Sequence, residues 1–175
     1  MKYVEPIRDM NQINALLDNL SIRDKMLVRL GMHTGLRISD LLELKVSDIK
    51  ENMEIKEKKT GKTKRFRLPS DFLDELNSYI DTFCTDWLFP SKKGTPLGYQ
   101  RAYQIIKKAA EKAGIPNVGT HTMRKTFGYF AYHVHKVPLA HLMEALNHSS
   151  ESHTLRYIGI TTEMLNDTIY GKMDF

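Results

Sequence analysis

The chain has few of the features that mark secreted or membrane-bound proteins. Cysteine occurs only once, at Cys84, so no disulfide can form within the chain, and a lone thiol fits a reducing compartment. No apolar run approaches the ~18 residues that span a bilayer, and the N-terminal stretch lacks the apolar core of a signal peptide. We therefore expect a cytoplasmic protein with no membrane partner.

Acidic residues are outnumbered, because 26 Lys and Arg stand against 21 Asp and Glu and give a net charge of +5. Such an excess favours a polyanionic partner without identifying one. Basic residues also concentrate in one short segment: Lys56, Lys58, Lys59, Lys62, Lys64, Arg65 and Arg67. This separation of charge predicts a single basic face.

The 175 residues suit one domain, and apolar residues at helical spacing predict that most of it is helical. The first helix carries Ile13, Leu16, Leu17 and Leu20 after a capping Asp9, and the second begins at Ser21 and ends at Gly35. The remaining predicted helices are Ile38 to Leu44, Asp71 to Phe83, Gly98 to Ala113 (before a Gly114 stop), Thr122 to about His135, Pro138 to Leu146 and Thr161 to Tyr170.

One segment has the alternating pattern of strands instead. Apolar and polar side chains alternate from Met53 to Glu57 and again from Phe66 to Leu68. Between them lies the turn Thr60-Gly61-Lys62, and a glycine in such a turn is typical of hairpins. We therefore predict a mainly α fold, a helical bundle that carries a small antiparallel β-hairpin or three-stranded sheet.

Four stretches carry side chains suited to phosphate chemistry, and the first two supply cations. In Thr34-Gly35-Leu36-Arg37 the glycine permits a sharp turn that puts Arg37 at a helix start, where guanidinium and backbone N–H groups can meet an anionic oxygen. In the hairpin turn, a lysine could reach a DNA groove or supply a proton. Taken alone, Arg37 could equally pair with Asp40 on the surface, and lysines on turns are usually solvated.

The other two stretches supply imidazoles and a phenol. His121 and Arg124 are three positions apart, so a helix puts them on one face, where one exchanges protons and the other grips phosphate oxygens. His148 ends a predicted helix, and Tyr157 follows on a short helical segment. Alone, each of these residues could be a cap, a surface residue or part of the core. Together they hold the parts for attack on a phosphodiester without a metal.

The order and spacing of these stretches resemble the tyrosine recombinase (phage integrase) family, over nearly the whole chain from about Pro6 to Tyr157 and into the C-terminal helix. The resemblance assigns catalytic places to Arg37, to the hairpin Lys59, to His121 and Arg124 of the His-x-x-Arg box, to His148, and to Tyr157 as the nucleophile. Asp40 takes the place of the acidic residue after the first arginine, and we expect it to support its local helix.

Three features depart from the family pattern. Met123 replaces the usual leucine of the box, which conserves volume. Asn147 replaces the glycine before His148, and asparagine tolerates left-handed backbone better than most residues. Residues 1–175 also lack the helical domain that usually precedes the catalytic domain and closes the DNA clamp. We expect a catalytic domain alone, either excised from a longer protein or acting as a short recombinase.

The resemblance implies a two-step transesterification in which Tyr157 attacks the scissile phosphorus and forms a 3′-phosphotyrosyl link. The two arginines would neutralise the nonbridging oxygens. His121 would serve as an acid–base group or a hydrogen-bond donor, and His148 would add another donor to the transition state. Lys59 would protonate the departing 5′-oxygen, with Lys58 and Lys62 as other candidates. No metal, cofactor or ATP is expected, because the covalent ester conserves the bond energy.

The implied partner is double-stranded DNA, bound by a homo-oligomer that is a tetramer on DNA. The hairpin would contact phosphates, and the residues expected to bind DNA there are Lys58, Lys62, Lys64 and Arg65. The final helix, with Met164, Leu165 and Ile169, could dock on its own chain or on a neighbour's. Tyr170 lies in that helix without a histidine at the matching spacing, so we do not expect it to be the nucleophile.

Three other functions fit parts of the pattern. A type IB topoisomerase would share the chemistry without exchanging strands, and a DNA-binding regulator would keep the fold without cleaving. A metal nuclease would need ligands from His133, His135, His141 and His153. Those histidines have no carboxylate partners at ligand spacing, which disfavours a metal site.

Overall fold

The computed structural model describes residues 4–83, 86–160, 164, 166 and 170–172. Its helices are α1 Met10–Asp18, α2 Ile22–Thr34, α3 Ile38–Leu41, α4 Ser70–Phe83, α5 Tyr99–Lys112, α6 Thr122–Tyr129, α7 Leu139–Ala145 and α8 Glu151–Tyr157, and its strands are β1 Asn52–Lys56 and β2 Thr63–Arg67. Short 3₁₀ turns occupy Val46–Asp48 and Tyr170–Lys172. The predicted mainly α fold with a β-hairpin is confirmed, and within the described ranges the sheet has two strands, not three.

Most helix ends lie where the sequence predicts them, because the capping residues act as expected. Asp9 accepts a hydrogen bond from the backbone N–H of Asn11, and Ser21 accepts one from that of Asp24. Gly35 ends α2 in the left-handed conformation, with φ of 62°. Gly114 likewise follows α5 with φ of 67°, as its predicted role as a stop requires.

Two predicted helices were too long. The third ends at Leu41 rather than Leu44, and it enters directly from the Gly35 turn, with no capping hydrogen bond from the Arg37 side chain. The helix from Thr122 ends at Tyr129, and a π-helical segment, Phe130–Val134, continues it. Inserted π turns of this kind shift the helix face and recur near functional sites. The predicted helix Thr161 to Tyr170, with Leu165 and Ile169, lies mostly outside the described residues.

Close packing between α2 and α6 brings the first arginine turn to the His-x-x-Arg helix. A Cβ atom on Gly31 would lie 2.9 Å from Sδ of Met123, and one on Gly35 would lie 2.5 Å from the Phe127 ring. The helices can approach this closely only because both positions are glycine. The end of α2 is therefore held against the start of α6.

The hairpin and the last two helices complete the surroundings of this contact. β1 buries Met53 and Ile55 against the main core, and Ile55 pairs in register with Lys64 of β2. A separate small cluster of Leu142, Leu146 and Ile158 fastens α7 and α8 together. No helix of the described part is both long and apolar enough to cross a membrane.

Candidate active site

Arg124 is the most enclosed of the predicted site residues, with 2% of its surface exposed. Its Nη1 donates to the backbone oxygen of Gly35, and its Nη2 donates to that of Leu146. The guanidinium thus ties the first turn of α6 to the α2–α3 turn and to the end of α7. Burial lowers its pKa, while the nearby Tyr157 and Glu57 oppose that effect.

Glu57, which sequence reasoning did not single out, lies between the two predicted arginines. Its Oε2 is 2.8 Å from Nη1 of Arg37, and its Oε1 is 3.5 Å from Nη1 of Arg124. Oε2 also accepts hydrogen bonds from Thr60 and Asn147. Burial alone would raise the pKa of this carboxyl, but the hydrogen bonds and the charge of Arg37 bring the pKa below its ordinary value. The carboxylate therefore stays ionised, with donors from Arg37, Thr60 and Asn147 around its Oε2.

The Tyr157 phenol, at the end of α8, lies beside the same arginines. Burial raises its pKa to about 12, although the positive charges of Arg124 and Arg37 act to lower it. The ring packs edge-on against His148, with ring centroids 5.0 Å apart. Its hydroxyl is buried and has no hydrogen bond of good geometry. The predicted nucleophile thus lies in the site of its own chain, and its hydroxyl is protonated.

His148 follows a tight turn that the family usually makes with glycine. Asn147 adopts φ of 50° in this turn, as its tolerance of left-handed backbone allows. Nδ1 of His148 lies 3.1 Å from the hydroxyl of Thr154, which leaves Nε2 for another group. Burial, and then the positive charges around it, lower its pKa to about 4. The imidazole is therefore neutral at physiological pH, and it can donate one hydrogen bond.

His121 and Lys59 lie at the rim rather than among the buried groups. His121 caps α6 from an exposed position, and its pKa is lowered by partial desolvation and then by the charges of Arg124 and other cations, Lys59 included. Lys59 is exposed on the hairpin turn. The structure brings these two within electrostatic range of each other, but not into contact with Tyr157.

The other predicted hairpin residues divide into outward and inward groups. Lys62 is exposed, Lys58 pairs with Glu43, and Arg65 pairs with Glu54 on the outer surface. Lys64 turns inward instead: its Nζ donates to the backbone oxygen of Thr34 and lies near the Phe66 and Phe127 rings. Of these four residues, Lys64 is the one whose charge faces the arginines.

Lys64 therefore belongs to the buried site rather than to the outer basic surface. Desolvation, and then the charge of Arg124, lower its pKa to about 8. Asp40 supports the same region from the other side, since its Oδ1 accepts from the backbone N–H of Lys58. Asp40 thereby connects α3 to the hairpin turn. We had expected it to support only its local helix.

The unpaired polar atoms of the described residues converge on this site. Five buried side-chain atoms lack a hydrogen bond, and four of them lie here: Arg37 Nη1, Asp40 Oδ2, Glu57 Oε1 and the Tyr157 hydroxyl; the fifth is His133 Nε2. Buried polar atoms are nearly always paired, so a cluster of exceptions needs an explanation. Arg37 Nη1 and Glu57 Oε1 are engaged in ion pairs, so the phenol hydroxyl is the donor of this group that an acceptor oxygen of a ligand would satisfy. Among the described residues, no three His, Cys, Asp or Glu side chains gather as metal ligands would.

Acid is expected to destabilise the fold through His148. Its pKa is about 4 in the folded chain and 6.5 ordinarily, so the unfolded chain takes up this proton first. The free energy of unfolding therefore keeps its full value above pH 6.5 and falls as the pH drops toward 4. Allowing for partial solvent screening, the loss is about 1–2 kcal/mol. Urea unfolding between about pH 7 and pH 4.5 measures it. His148→Gln should make the free energy of unfolding less dependent on pH, whereas His141→Gln, at an exposed position, should not. The same dependence on pH in both variants and the unmodified protein would refute this.

Comparison with known proteins places the chain beside DNA recombinases. Residues 7–164 match the family model described as "Phage integrase family". A relative from Bacillus subtilis strain 168, named probable integrase/recombinase YoeC, is 39% identical over 167 residues, which are 91% of this chain and 92% of that protein. The tyrosine recombinase XerA of Pyrococcus furiosus is 31% identical over 158 residues, which are 85% of this chain but 54% of that protein.

Solved structures share the fold at lower identity. The XerA recombinase structure superposes with a TM-score of 0.78 at 20% identity and covers 100% of this chain and 66% of that one. A lambda integrase dimer bound to a COC′ core site gives a TM-score of 0.75 at 17% identity, covering 93% of this chain and 61% of that one. The chain thus spans nearly the whole Bacillus protein and between one half and two thirds of these longer recombinases.

Proposed function

This chain belongs to the phage integrase family, whose members cleave and rejoin DNA, and from that premise we propose that it does so through Tyr157, without metal or ATP. The observation that carries the proposal is the convergence, in one site, of a buried phenol hydroxyl that lacks a hydrogen bond of good geometry and the two guanidinium groups of Arg37 and Arg124. A scissile phosphate between them would accept hydrogen bonds from the arginines while its phosphorus meets the phenol oxygen. Residues 1–175 would form the catalytic domain of such an enzyme.

The proposed first step is attack by the Tyr157 oxygen on phosphorus. A pKa of about 12 keeps the free phenol protonated, so as the P–O bond forms the proton passes, through water, to the neutral imidazole of His121 at the rim. Neutral His148 donates a hydrogen bond to a nonbridging oxygen, and the two arginines balance the growing negative charge. The 5′-oxygen departs with a proton and leaves a 3′-phosphotyrosyl ester. The second step reverses the first with a 5′-hydroxyl from another strand.

Lys59 is the proposed donor of the proton to the departing 5′-oxygen. We expect Lys59→Ala to slow single-turnover cleavage by roughly 10²–10⁴-fold, because an alkoxide leaves poorly without a general acid. Replacing the bridging 5′-oxygen of the substrate by sulfur should shrink this defect to about tenfold or less. The thiolate is stable near neutral pH, since a thiol has a pKa of about 8.5, and it needs no proton to leave.

Matched controls for this experiment come from the same turn. Lys58→Ala and Lys62→Ala remove equal charge, and both should keep the same rate ratio between oxygen and sulfur substrates as the unmodified protein. If sulfur rescues Lys58→Ala or Lys62→Ala and not Lys59→Ala, the general acid is the lysine whose variant is rescued. Failure of sulfur to rescue any of the three would exclude Lys58, Lys59 and Lys62 as the general acid.

We propose double-stranded DNA as the partner, with the outward hairpin residues Lys58, Lys62 and Arg65 on its phosphates. Exposed cations of this kind fix the register on the duplex without reading sequence. A homo-oligomer, a tetramer during strand exchange, is proposed because a lambda integrase tetramer has been solved on a Holliday junction. DNA as substrate, together with a single cysteine, supports a cytoplasmic location.

A type IB topoisomerase would use the same chemistry, so the decisive experiment separates cutting from exchange. The protein is incubated with two duplexes that carry different labels and a shared target site, and separately with supercoiled DNA. Products that join the two labels would support a recombinase. Relaxation of the supercoiled DNA without joined products would favour a topoisomerase, and binding without any covalent adduct would favour a regulator.

A further inference from the structure

The Glu57 carboxylate occupies the place in the site that a phosphate needs. It lies between Arg37 and Arg124 and is completely buried, with 0% of its surface exposed. A phosphodiester carries one negative charge, as a carboxylate does, and uses the same oxygen acceptors toward guanidinium groups. Both anions cannot hold the space between the same two guanidiniums, so Glu57 must leave it when a phosphate enters.

The carboxylate is held there by neutral donors from two other parts of the chain. Asn147 donates from the turn before His148 at 2.6 Å, and Thr60 donates from the hairpin turn at 2.9 Å. Asn147 is also the position that departs from the family glycine, which has no side chain and could not make this contact. The donor on Asn147 and the acceptor on Glu57 therefore form one matched pair.

Glu57 is joined to Lys59 by the closed turn that contains both. The backbone N–H of Glu57 donates to the oxygen of Lys62 at 2.9 Å, and the N–H of Gly61 donates to the oxygen of Glu57 at 2.8 Å. Glu57 is fully buried and its carboxylate is bonded on several sides, so the side chain has little room to rotate away alone. Because the backbone bonds make residues 57–62 one compact unit, we expect its withdrawal to shift the whole turn. Any such shift also moves Lys59, which now lies exposed at the rim.

We propose that Glu57 occupies the phosphate subsite in the absence of DNA, and that an entering phosphate expels it and so moves the turn that carries Lys59. Glu57 is then a positioning residue that links occupation of the subsite to arrival of the lysine. The part that concerns Lys59 rests on the proposed function. The part that concerns the anion site does not, since it needs only the geometry of the two arginines.

Sulfate binding tests the anion site directly, because sulfate offers the same oxygens and undergoes no reaction. Calorimetry would compare the unmodified protein with Glu57→Gln and Glu54→Gln, at constant ionic strength. Glu54 is the matched control: it lies on β1, three residues before Glu57, and its replacement removes the same charge, but it pairs with Arg65 outside the site. We expect at least tenfold tighter sulfate binding for Glu57→Gln and less than about a twofold change for Glu54→Gln.

A second variant guards against misfolding of the first. Asn147→Gly removes one of the donors that hold the carboxylate, and glycine accepts the left-handed backbone at this position without strain. We expect this variant to bind sulfate several-fold more tightly as well. Unchanged or weaker binding in both variants would mean that Glu57 braces the arginines instead of competing with the anion, and would overturn the proposal.

Trypsin measures the movement of the turn in the unmodified protein. Sulfate, compared with chloride at equal ionic strength, should speed cleavage after Lys58 and Lys59 and leave cleavage after Lys92 and Lys93, on another exposed turn, unchanged. If sulfate changed cleavage at both turns by the same factor, or at neither, the link to Lys59 would be refuted. All these measurements can be made in a Tyr157→Phe background, so they remain decisive if the protein proves to cut no DNA.

Discussion

Tyr157→Phe is expected to abolish formation of a covalent adduct with DNA, a loss of at least ~10⁴-fold in single-turnover cleavage. Only the hydroxyl oxygen is removed, and it is the phenol oxygen that lies beside Arg124 and Arg37. The measurement is trapping on a nicked suicide duplex, from which the cut fragment diffuses away and leaves the phosphotyrosyl ester. Mass spectrometry then identifies the modified residue.

Folding and DNA binding should survive this substitution, which makes the loss interpretable. The Tyr157 hydroxyl is buried without a hydrogen bond of good geometry, so we expect its removal to change the melting temperature little. The matched control is Tyr170→Phe, because Tyr170 is 72% exposed and we expect its replacement to leave the adduct unaffected. An adduct on any other residue, or one that persists in Tyr157→Phe, would refute the assignment of the nucleophile.

The helical part of the fold could be predicted because its signals are local. Capping by Asp9, the start of α2 at Ser21 and its stop at Gly35 depend on a few neighbouring residues, and the structure confirms the Asp9 cap and the Gly35 stop and puts the start of α2 within one residue. The ends of α3 and α6 were misplaced because tertiary contacts decide them. The apolar pattern runs on after Leu41, and the π-helical segment that follows Tyr129 leaves no mark in side-chain periodicity.

The site was predictable only in the residues that matched a known pattern. In the sequence, Glu57 is one residue of a predicted strand, yet in the structure its carboxylate lies between the two arginines of the site. A single acid among seven basic residues was the available signal, although the sequence does not say which way a side chain at a strand end will turn. Lys64 is different, because a signal was present: it stands two residues before Phe66, and alternation along β2 places it on the inner face opposite Ile55 and not on the outer basic surface.

Arg124→Ala is the other substitution with a very large expected effect. Loss of a preorganised donor to the developing charge should slow cleavage by roughly 10²–10³-fold at saturating DNA. The buried guanidinium also bonds two backbone oxygens and pairs with Glu57, so we expect a loss of about 2–4 kcal/mol in the free energy of unfolding. Cleavage must therefore be measured well below the lowered melting temperature.

Arg124→Lys separates the two effects of that substitution. Lysine keeps the charge, so the fold should be largely restored, but a single ammonium cannot hold two backbone oxygens and a phosphate as the planar guanidinium does. Cleavage should stay at least ~10²-fold slow while DNA affinity changes little. Arg65→Ala is the control: this exposed side chain should affect affinity and its salt dependence only. If Arg124→Lys weakened DNA binding as much as cleavage, Arg124 would position the DNA and would not stabilise the transition state.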